Sequence, residues 1–119
     1  TRYLDAAERT LRAAWRSLQE FPHGHCSLLN ALDEYLGPPE LIVLRGDARE
    51  CAVWAATLGV AYNPRRMVFA IPGDAGELPA GLASKAAPNA PSSVLAYVCR
   101  GTICESPVDT LEAAAKIST

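Results

Sequence analysis

Hydrophobic residues recur every three or four positions at the start of the chain, the spacing that places them on one side of an α-helix. They are Leu4, Ala7, Leu11, Trp15 and Leu18. The pattern predicts a helix that Pro22 and Gly24 terminate. A second periodic run extends from Ser27, a suitable N-cap, to Leu36 and stops at Gly37 and two prolines. The two helices predict an αα-hairpin.

The pattern changes after the prolines to short apolar runs, which are typical of strands. LIVL (41–44) and RMVFAI (66–71) predict two buried strands, and SVLAYVC (93–99) predicts a third. A helical stripe separates the first two, made by Ala48, Cys51, Ala52, Ala55 and Leu58. Asp47 is expected to cap that helix, with Glu50 as its capping-box partner. Such a β-α-β unit favours parallel strands joined by a crossover.

A tight hairpin and a closing helix are predicted near the end of the chain. Gly101 and Thr102 suit a two-residue type II′ loop, which places Cys99 opposite Cys104. The pair falls on a non-hydrogen-bonded position, with Cα atoms roughly 4.5 Å apart. Pro107 is expected to end the ladder. The closing helix, within 106–117, is expected to have Asp109 as its cap.

These elements predict an α/β fold with a small mixed sheet. We expect three parallel strands plus a C-terminal antiparallel hairpin strand, with flanking helices, preceded by the αα-hairpin. The composition break near Gly37 predicts a helical part over 1–37 and an α/β domain over 38–119. The chain begins without methionine and already in helical rhythm, which we interpret as a piece of a longer protein.

Composition and charge exclude several functional classes. The 119 residues carry a formal net charge of −2 and are half hydrophobic, which is typical of a soluble globular domain. No basic excess indicates nucleic acid, and no apolar run is long enough to indicate a membrane span. The four cysteines are not needed as a disulfide framework in a chain of this length, so a cytoplasmic protein is expected.

The cysteines provide the main candidate chemistry. Cys99 and Cys104 fit three interpretations: apolar packing residues, a reversible disulfide, or part of a metal site. A metal would need further ligands, and the weak candidates are His23, His25 and Cys26 in HGHC. That stretch is better explained as a polar turn, so no metal and no cofactor is predicted. Cys51 belongs to the apolar stripe of its helix.

The turn at Gly46 and Asp47 is a weak candidate for ligand binding, because it precedes a helix whose N-terminal N–H groups could hold an anion. The Asp47 carboxylate itself would repel a phosphate there. The chain contains no dinucleotide-binding, phosphate-loop or nucleophile-elbow motif. We therefore expect no self-contained catalytic site.

The order of elements and the cysteine hairpin resemble a known family. From CSLLNALDEYLGPPELIVLRG to AYVCRGTICESPVDTLEAAAKI, the chain resembles the C-terminal end of YyaL-like, or spermatogenesis-associated, thioredoxin-domain-containing proteins. The most specific matches are Tyr97-Val98-Cys99, Cys104 and Pro107-Val108-Asp109. These proteins combine a thioredoxin-like domain, an α/α barrel similar to six-hairpin glycosidases and sugar epimerases, and a small α/β tail.

The resemblance implies partners and three competing functions. The helical hairpin would be the last part of the barrel domain, and the partners would be the thioredoxin-like and α/α barrel domains of the same polypeptide. The first hypothesis is a non-catalytic accessory domain with a redox-active pair at Cys99 and Cys104. The second is a structural or interaction module with inert cysteines, open to homodimer formation. The third is part of a carbohydrate-processing enzyme.

Overall fold

A computed structural model describes residues 2–118, which form two compact units, one ending at Pro38 and the other beginning at Pro39. The first unit contains α1 (Arg2–Glu20), a 3-10 turn (Pro22–His25) and α2 (Cys26–Leu36). The second contains β1 (Glu40–Gly46), α3 (Ala48–Leu58), β2 (Arg66–Pro72), α4 (Ala80–Ala83), β3 (Val94–Arg100), β4 (Ile103–Cys104) and α5 (Leu111–Ile117).

The helical unit confirms both predicted helices but buries little of their apolar surface. Leu11 and Leu18 are buried, whereas Leu4 and Trp15 of the same stripe remain 58% and 49% exposed. The predicted N-cap of the second helix is wrong. The 3-10 turn leads directly into α2, so that His25 is the residue before the helix and Ser27 already lies inside it.

The second unit is built on a four-stranded sheet in the order β2-β1-β3-β4. β1 and β2 are parallel, with Ile42 opposite Val68. β3 runs antiparallel to β1, with Val98 opposite Ile42, and β4 runs antiparallel to β3. The predicted mixed sheet with flanking helices is confirmed. The prediction of three parallel strands is wrong, because β1 and β2 form the sole parallel pair within residues 2–118.

The connection before β3 explains its direction. If β3 were parallel to β1 and β2, the connection would have to cross over and return the chain to the amino ends of these strands. The connection instead starts and ends at the carboxyl end of β1: the Gly73 N–H donates to the Gly46 carbonyl at 2.7 Å, and the Asp47 N–H donates to the Ser93 carbonyl at 3.0 Å. Since β3 begins where β2 ends, it must run the other way.

One face of the sheet carries the hydrophobic core, against α3 and α5. The buried core residues are Ile42, Leu44, Cys51, Leu58, Val94, Ala96, Val98 and Ala114. Trp54 also packs there, whereas Ala48 and Ala52 of the predicted stripe are exposed. β1 is buried as predicted, but β2 is not. β2 is an edge strand, and its Met67 and Phe69 are 44% and 47% exposed.

Side-chain caps begin the two longer helices of this unit. Asp47 caps α3 as predicted, since its carboxylate accepts hydrogen bonds from the Arg49 and Glu50 N–H groups, each at 3.0 Å. The Asp47 N–H is already bonded to a carbonyl, so it does not need the predicted return bond from the Glu50 side chain. The prediction for α5 is wrong by one residue, because Thr110, not Asp109, accepts from the N–H of Ala113.

A buried carboxylate at the start of β1 joins two arginines. Glu40 Oε2 lies 2.8 Å from Nε of Arg66, and Glu40 Oε1 lies 2.8 Å from Nη2 of Arg100. The same guanidinium groups donate to carbonyls that end helices: Arg66 to Leu58 of α3 and to Ser118, and Arg100 to Ile117 of α5. This ion cluster therefore fastens both helix C-termini to one end of the sheet.

A second arginine site organises the other end of the sheet. Arg45 is 5% exposed, yet its guanidinium has backbone carbonyls as partners. Its Nη1 donates to Pro72 at 2.8 Å, and its Nε donates to Lys85 at 3.0 Å. Arg45 thus holds the end of β2 and the segment after α4 in fixed positions beside β1.

Candidate functional site

The two cysteines face each other across the predicted hairpin. The register pairs Cys99 with Cys104 and Arg100 with Ile103. Gly101 has a φ of 58°, whereas Thr102 has no positive φ, the pattern of a two-residue type II′ turn. The hairpin prediction is confirmed in loop, register and pairing.

Pairing continues past the point where the sequence predicts its end. Ala96 and Val108 exchange hydrogen bonds of 2.8 and 3.1 Å, one residue out of the hairpin register. The extra residue is a β-bulge, which leaves Pro107, a residue without an N–H donor, outside the ladder. The hairpin ladder in its own register thus ends before Pro107, as predicted, and the bridge between Ala96 and Val108 is an isolated addition beyond it.

Cys99 and Cys104 are joined by a disulfide with an S–S distance of 1.99 Å. Their Cα atoms are 3.9 Å apart, closer than the separation expected from the register. Disulfides usually span about 4.4–6.8 Å between Cα atoms, so the two residues lie closer together than either a typical disulfide or the strand register requires. Cys99 is 4% exposed, whereas Cys104 is exposed, so the pair is open to solvent on the Cys104 side.

One charged side chain next to the disulfide was missed by sequence reasoning. Lys85 Nζ lies 3.5 Å from Cys104 Sγ and 5.3 Å from the centre of the Tyr97 ring. Lys85 belongs to a loop that carries no motif, and it is separated from Cys104 by nineteen positions. The available signal was weak: the chain contains only two lysines, and this one lies in the segment that connects two strands.

The other two cysteines occupy different environments. Cys51 is fully buried in the core, as predicted, and burial raises the pKa of its thiol, with a further contribution from the charge of Asp47. Cys26 is exposed, and its thiol donates to the His23 carbonyl at 3.4 Å. A buried thiol with a raised pKa is unreactive, which makes Cys51 a packing residue.

The HGHC stretch lies in the 3-10 turn and the start of α2. His23 and His25 belong to the turn, and Cys26 is the first residue of α2. Within residues 2–118, no three side chains of His, Cys, Asp or Glu lie close enough together to hold a metal ion.

Gly46 and Asp47 line a cleft of about 380 Å³ at the carboxyl ends of β1 and β2. Its other walls come from Ala48, Gly73, Asp74, Pro88 and residues 90–92. The backbone at position 46 requires glycine. Its φ is 145°, and an added Cβ would lie 2.0 Å from the Ser93 carbonyl oxygen. The Asp47 carboxylate is engaged in capping α3.

The helical unit has a cleft of its own, of about 390 Å³, between α1 and α2. Trp15, Leu32 and Leu36 contribute apolar walls, and Glu8 and Arg12 form an ion pair of 2.7 Å at its rim. The hydrogen bond from Arg12 is the main cause that lowers the pKa of Glu8. The pair is exposed to solvent, so it contributes little to stability.

Across residues 2–118, none of the helices combines the length and apolar character needed to cross a membrane. Comparisons of the chain with family models, curated proteins and solved structures gave no match.

Proposed function

We propose that this chain is the C-terminal accessory part of a thioredoxin-domain-containing protein of the YyaL-like type, and that its Cys99–Cys104 pair exchanges disulfides with a dithiol partner. The observation that carries the proposal is the unequal exposure of a bonded pair: Cys104 is open to attack while Cys99 is 4% exposed. The domain itself needs no substrate pocket for this role. It exposes the Cys104 residue to solvent and keeps Cys99, to which Cys104 is bonded, buried.

The strand geometry supports a bond that opens readily. A Cα separation of 3.9 Å is shorter than an unstrained disulfide prefers, and it is also shorter than an ordinary non-hydrogen-bonded strand pair. Opening the bond lets both strands relax to their usual spacing. Strained and exposed disulfides are easier to reduce than relaxed, buried ones.

The exchange is balanced as two displacement steps. A partner thiolate attacks Cys104 Sγ, the disulfide breaks, and its electron pair goes to Cys99 Sγ, which takes up a proton. A second partner thiolate then attacks the partner sulfur of the mixed disulfide, and Cys104 leaves as a thiolate. The hairpin gains two electrons, and the partner dithiol becomes a disulfide. The reverse sequence oxidises the hairpin and reduces the partner.

The proposed partner is the thioredoxin-like domain of the same polypeptide, and the helical unit would adjoin its α/α barrel domain. A cytoplasmic setting fits this role, because disulfides of cytosolic proteins are usually transient and redox-linked rather than permanent. A tethered partner would also meet the hairpin at high effective concentration.

The test is the redox state of the pair across a series of glutathione buffers. Free thiols are alkylated at each potential, and peptides containing Cys99 and Cys104 are measured by mass spectrometry. We expect the bond to open near the cytosolic glutathione poise, about −220 to −260 mV by extraction methods. Cys26, an exposed free thiol, serves as the control for complete alkylation.

Two results would reject the redox function. A pair that stays bonded in every buffer would be a permanent structural staple for the two-residue strand β4. A pair that stays reduced in every buffer would be apolar packing. Either result would favour the structural or interaction module over the redox domain.

The cleft at Gly46 favours a second candidate, a part of a carbohydrate-processing enzyme. Its two aspartates lie at the carboxyl ends of adjacent parallel strands, where open α/β sheets commonly bind ligands. Amide NMR spectra recorded with a panel of mono- and disaccharides test this candidate. Shifts confined to Gly46, Gly73 and their neighbours would support it, and unchanged spectra would reject it.

A further inference from the structure

Lys85 is the charged side chain that contacts the disulfide. Its Nζ is 3.5 Å from Cys104 Sγ, and the face of the Tyr97 ring lies 5.3 Å away from the same nitrogen. Lys85 is half-buried as a residue, but the contact of its ammonium group with Cys104 lies at the surface and is open to solvent. An ammonium group at this distance interacts far more strongly with a thiolate than with a neutral disulfide sulfur.

The main chain around Lys85 is fixed by hydrogen bonds to two strands of the sheet. The Lys85 carbonyl accepts a hydrogen bond of 3.0 Å from Arg45, and the Ala86 carbonyl accepts one of 2.8 Å from the Tyr97 hydroxyl. Both donors belong to strands of the sheet that carries the hairpin. The contact between Lys85 and Cys104 therefore does not depend on an unanchored loop.

We propose that Cys104 is the sulfur that exchanges with the partner and that the Lys85 ammonium stabilises its thiolate, while Cys99 is the internal resolving thiol. This inference rests on the proposed redox function and assigns a direction to it. On reduction, Cys104 is released as a thiolate beside a cation. On oxidation, that thiolate is the nucleophile that attacks the partner disulfide, and Cys99 then closes the hairpin bond and releases the partner.

Other charged groups near the hairpin do not replace Lys85. Glu105 follows Cys104 in the chain, but successive side chains of a strand point to opposite faces, and its N–H is paired with Val98. Arg100 is bound to Glu40 and to the Ile117 carbonyl on the core face. Arg45 uses its guanidinium to bind main-chain carbonyls, including that of Lys85.

The test follows alkylation of Cys104 in the fully reduced protein. The protein is reduced with a phosphine, kept anaerobic, and treated with iodoacetamide from pH 5 to 10, and each cysteine peptide is quantified by mass spectrometry. The variants are Lys85→Met, which removes the charge, Lys85→Arg, which keeps it, and Lys116→Met. Lys116 is the other lysine of the chain and is exposed on α5, so it is the matched control.

Removing the Lys85 charge should move the alkylation profile of Cys104 to higher pH. An opposite charge at this distance should shift the titration by about half a unit to one unit at a solvent-exposed contact, so alkylation at pH 7 should slow by about 3- to 10-fold. Lys85→Arg should keep most of the wild-type rate, and Lys116→Met should keep all of it. Alkylation of exposed Cys26 is the internal reference and should not change.

Two outcomes would overturn the assignment. Equal Cys104 profiles for Lys85→Met and Lys116→Met would show that Lys85 does not stabilise the thiolate. Faster alkylation of Cys99 than of Cys104 in the reduced wild-type protein would reverse the proposed order of the sulfurs. The experiment stays readable if the redox function fails, because phosphine reduction opens the bond even where glutathione does not.

Discussion

The buried carboxylate of Glu40 is the most informative single group to perturb in the α/β unit. The Glu40 side chain is 9% exposed and binds Arg66, which is 12% exposed, and Arg100, which is 47% exposed. Substitution by glutamine keeps the shape of the side chain and removes its charge. Both guanidinium groups would then face a neutral amide at the end of the sheet.

The expected cost follows from what each arginine retains. Removing one partner of a buried ion pair typically costs about 3–5 kcal/mol. Arg66 keeps its bonds to the Leu58 and Ser118 carbonyls, and Arg100 is exposed enough to be rehydrated. We therefore expect Glu40→Gln to lower the free energy of unfolding of this unit by roughly 2–3 kcal/mol, below the full cost for an isolated charge.

Urea denaturation followed by tryptophan fluorescence measures this loss. The chain has two tryptophans, Trp15 in the helical unit and Trp54 in the core of the α/β unit. A Trp15→Phe background leaves Trp54 as the single reporter. Glu77→Gln is the control, because Glu77 is an exposed loop residue of the same unit and its substitution should change stability by less than about 0.5 kcal/mol.

A Glu40→Gln variant no less stable than Glu77→Gln would refute the reasoning. It would mean that the two arginines are satisfied by carbonyls and water alone, and that the carboxylate adds no net stability. Destabilisation well above 5 kcal/mol would also contradict it, because the hydrogen bonds that the arginines retain to carbonyls would then contribute no compensating stability.

Two backbone features allow further tests with matched controls. Gly46→Ala should destabilise the α/β unit by more than about 2 kcal/mol, because the new Cβ would lie 2.0 Å from the Ser93 carbonyl oxygen, whereas Gly81→Ala, with no atom within 4 Å, should be tolerated in the same urea titration. Thr110→Ala should cost about 1 kcal/mol through loss of the α5 cap. Asp109→Ala should cost clearly less in thermal unfolding, and the opposite order would show that the cap is misassigned.

Local signals in the sequence were sufficient for the hairpin and for most single elements. Gly101 and Thr102 determine loop length and turn type, and a two-residue loop leaves one register, which brings Cys99 and Cys104 together. The Asp47 cap was equally local. Each of these features depends on residues only a few positions apart, so that the sequence pattern contains nearly all the information.

The direction of β3 and the ion cluster depend on contacts distant in the chain. Apolar runs do not encode strand direction. The direction of β3 follows from the path of the connection before it, which starts and ends at the same end of the sheet. Glu40 meets Arg66 across 26 positions and Arg100 across 60, separations at which no spacing rule applies. The contact between Lys85 and Cys104 is equally distant from any spacing rule, because it depends on a loop that Arg45 of β1 holds in place.

Arg45 has a consequence for how this protein can change over evolutionary time. The groups that it binds are main-chain carbonyls of Ile71, Pro72 and Lys85, and every amino acid supplies such a carbonyl. Substitutions at those three positions leave the acceptors in place, so the anchorage survives them. The loop is thus free to vary its side chains while the path of its main chain stays fixed.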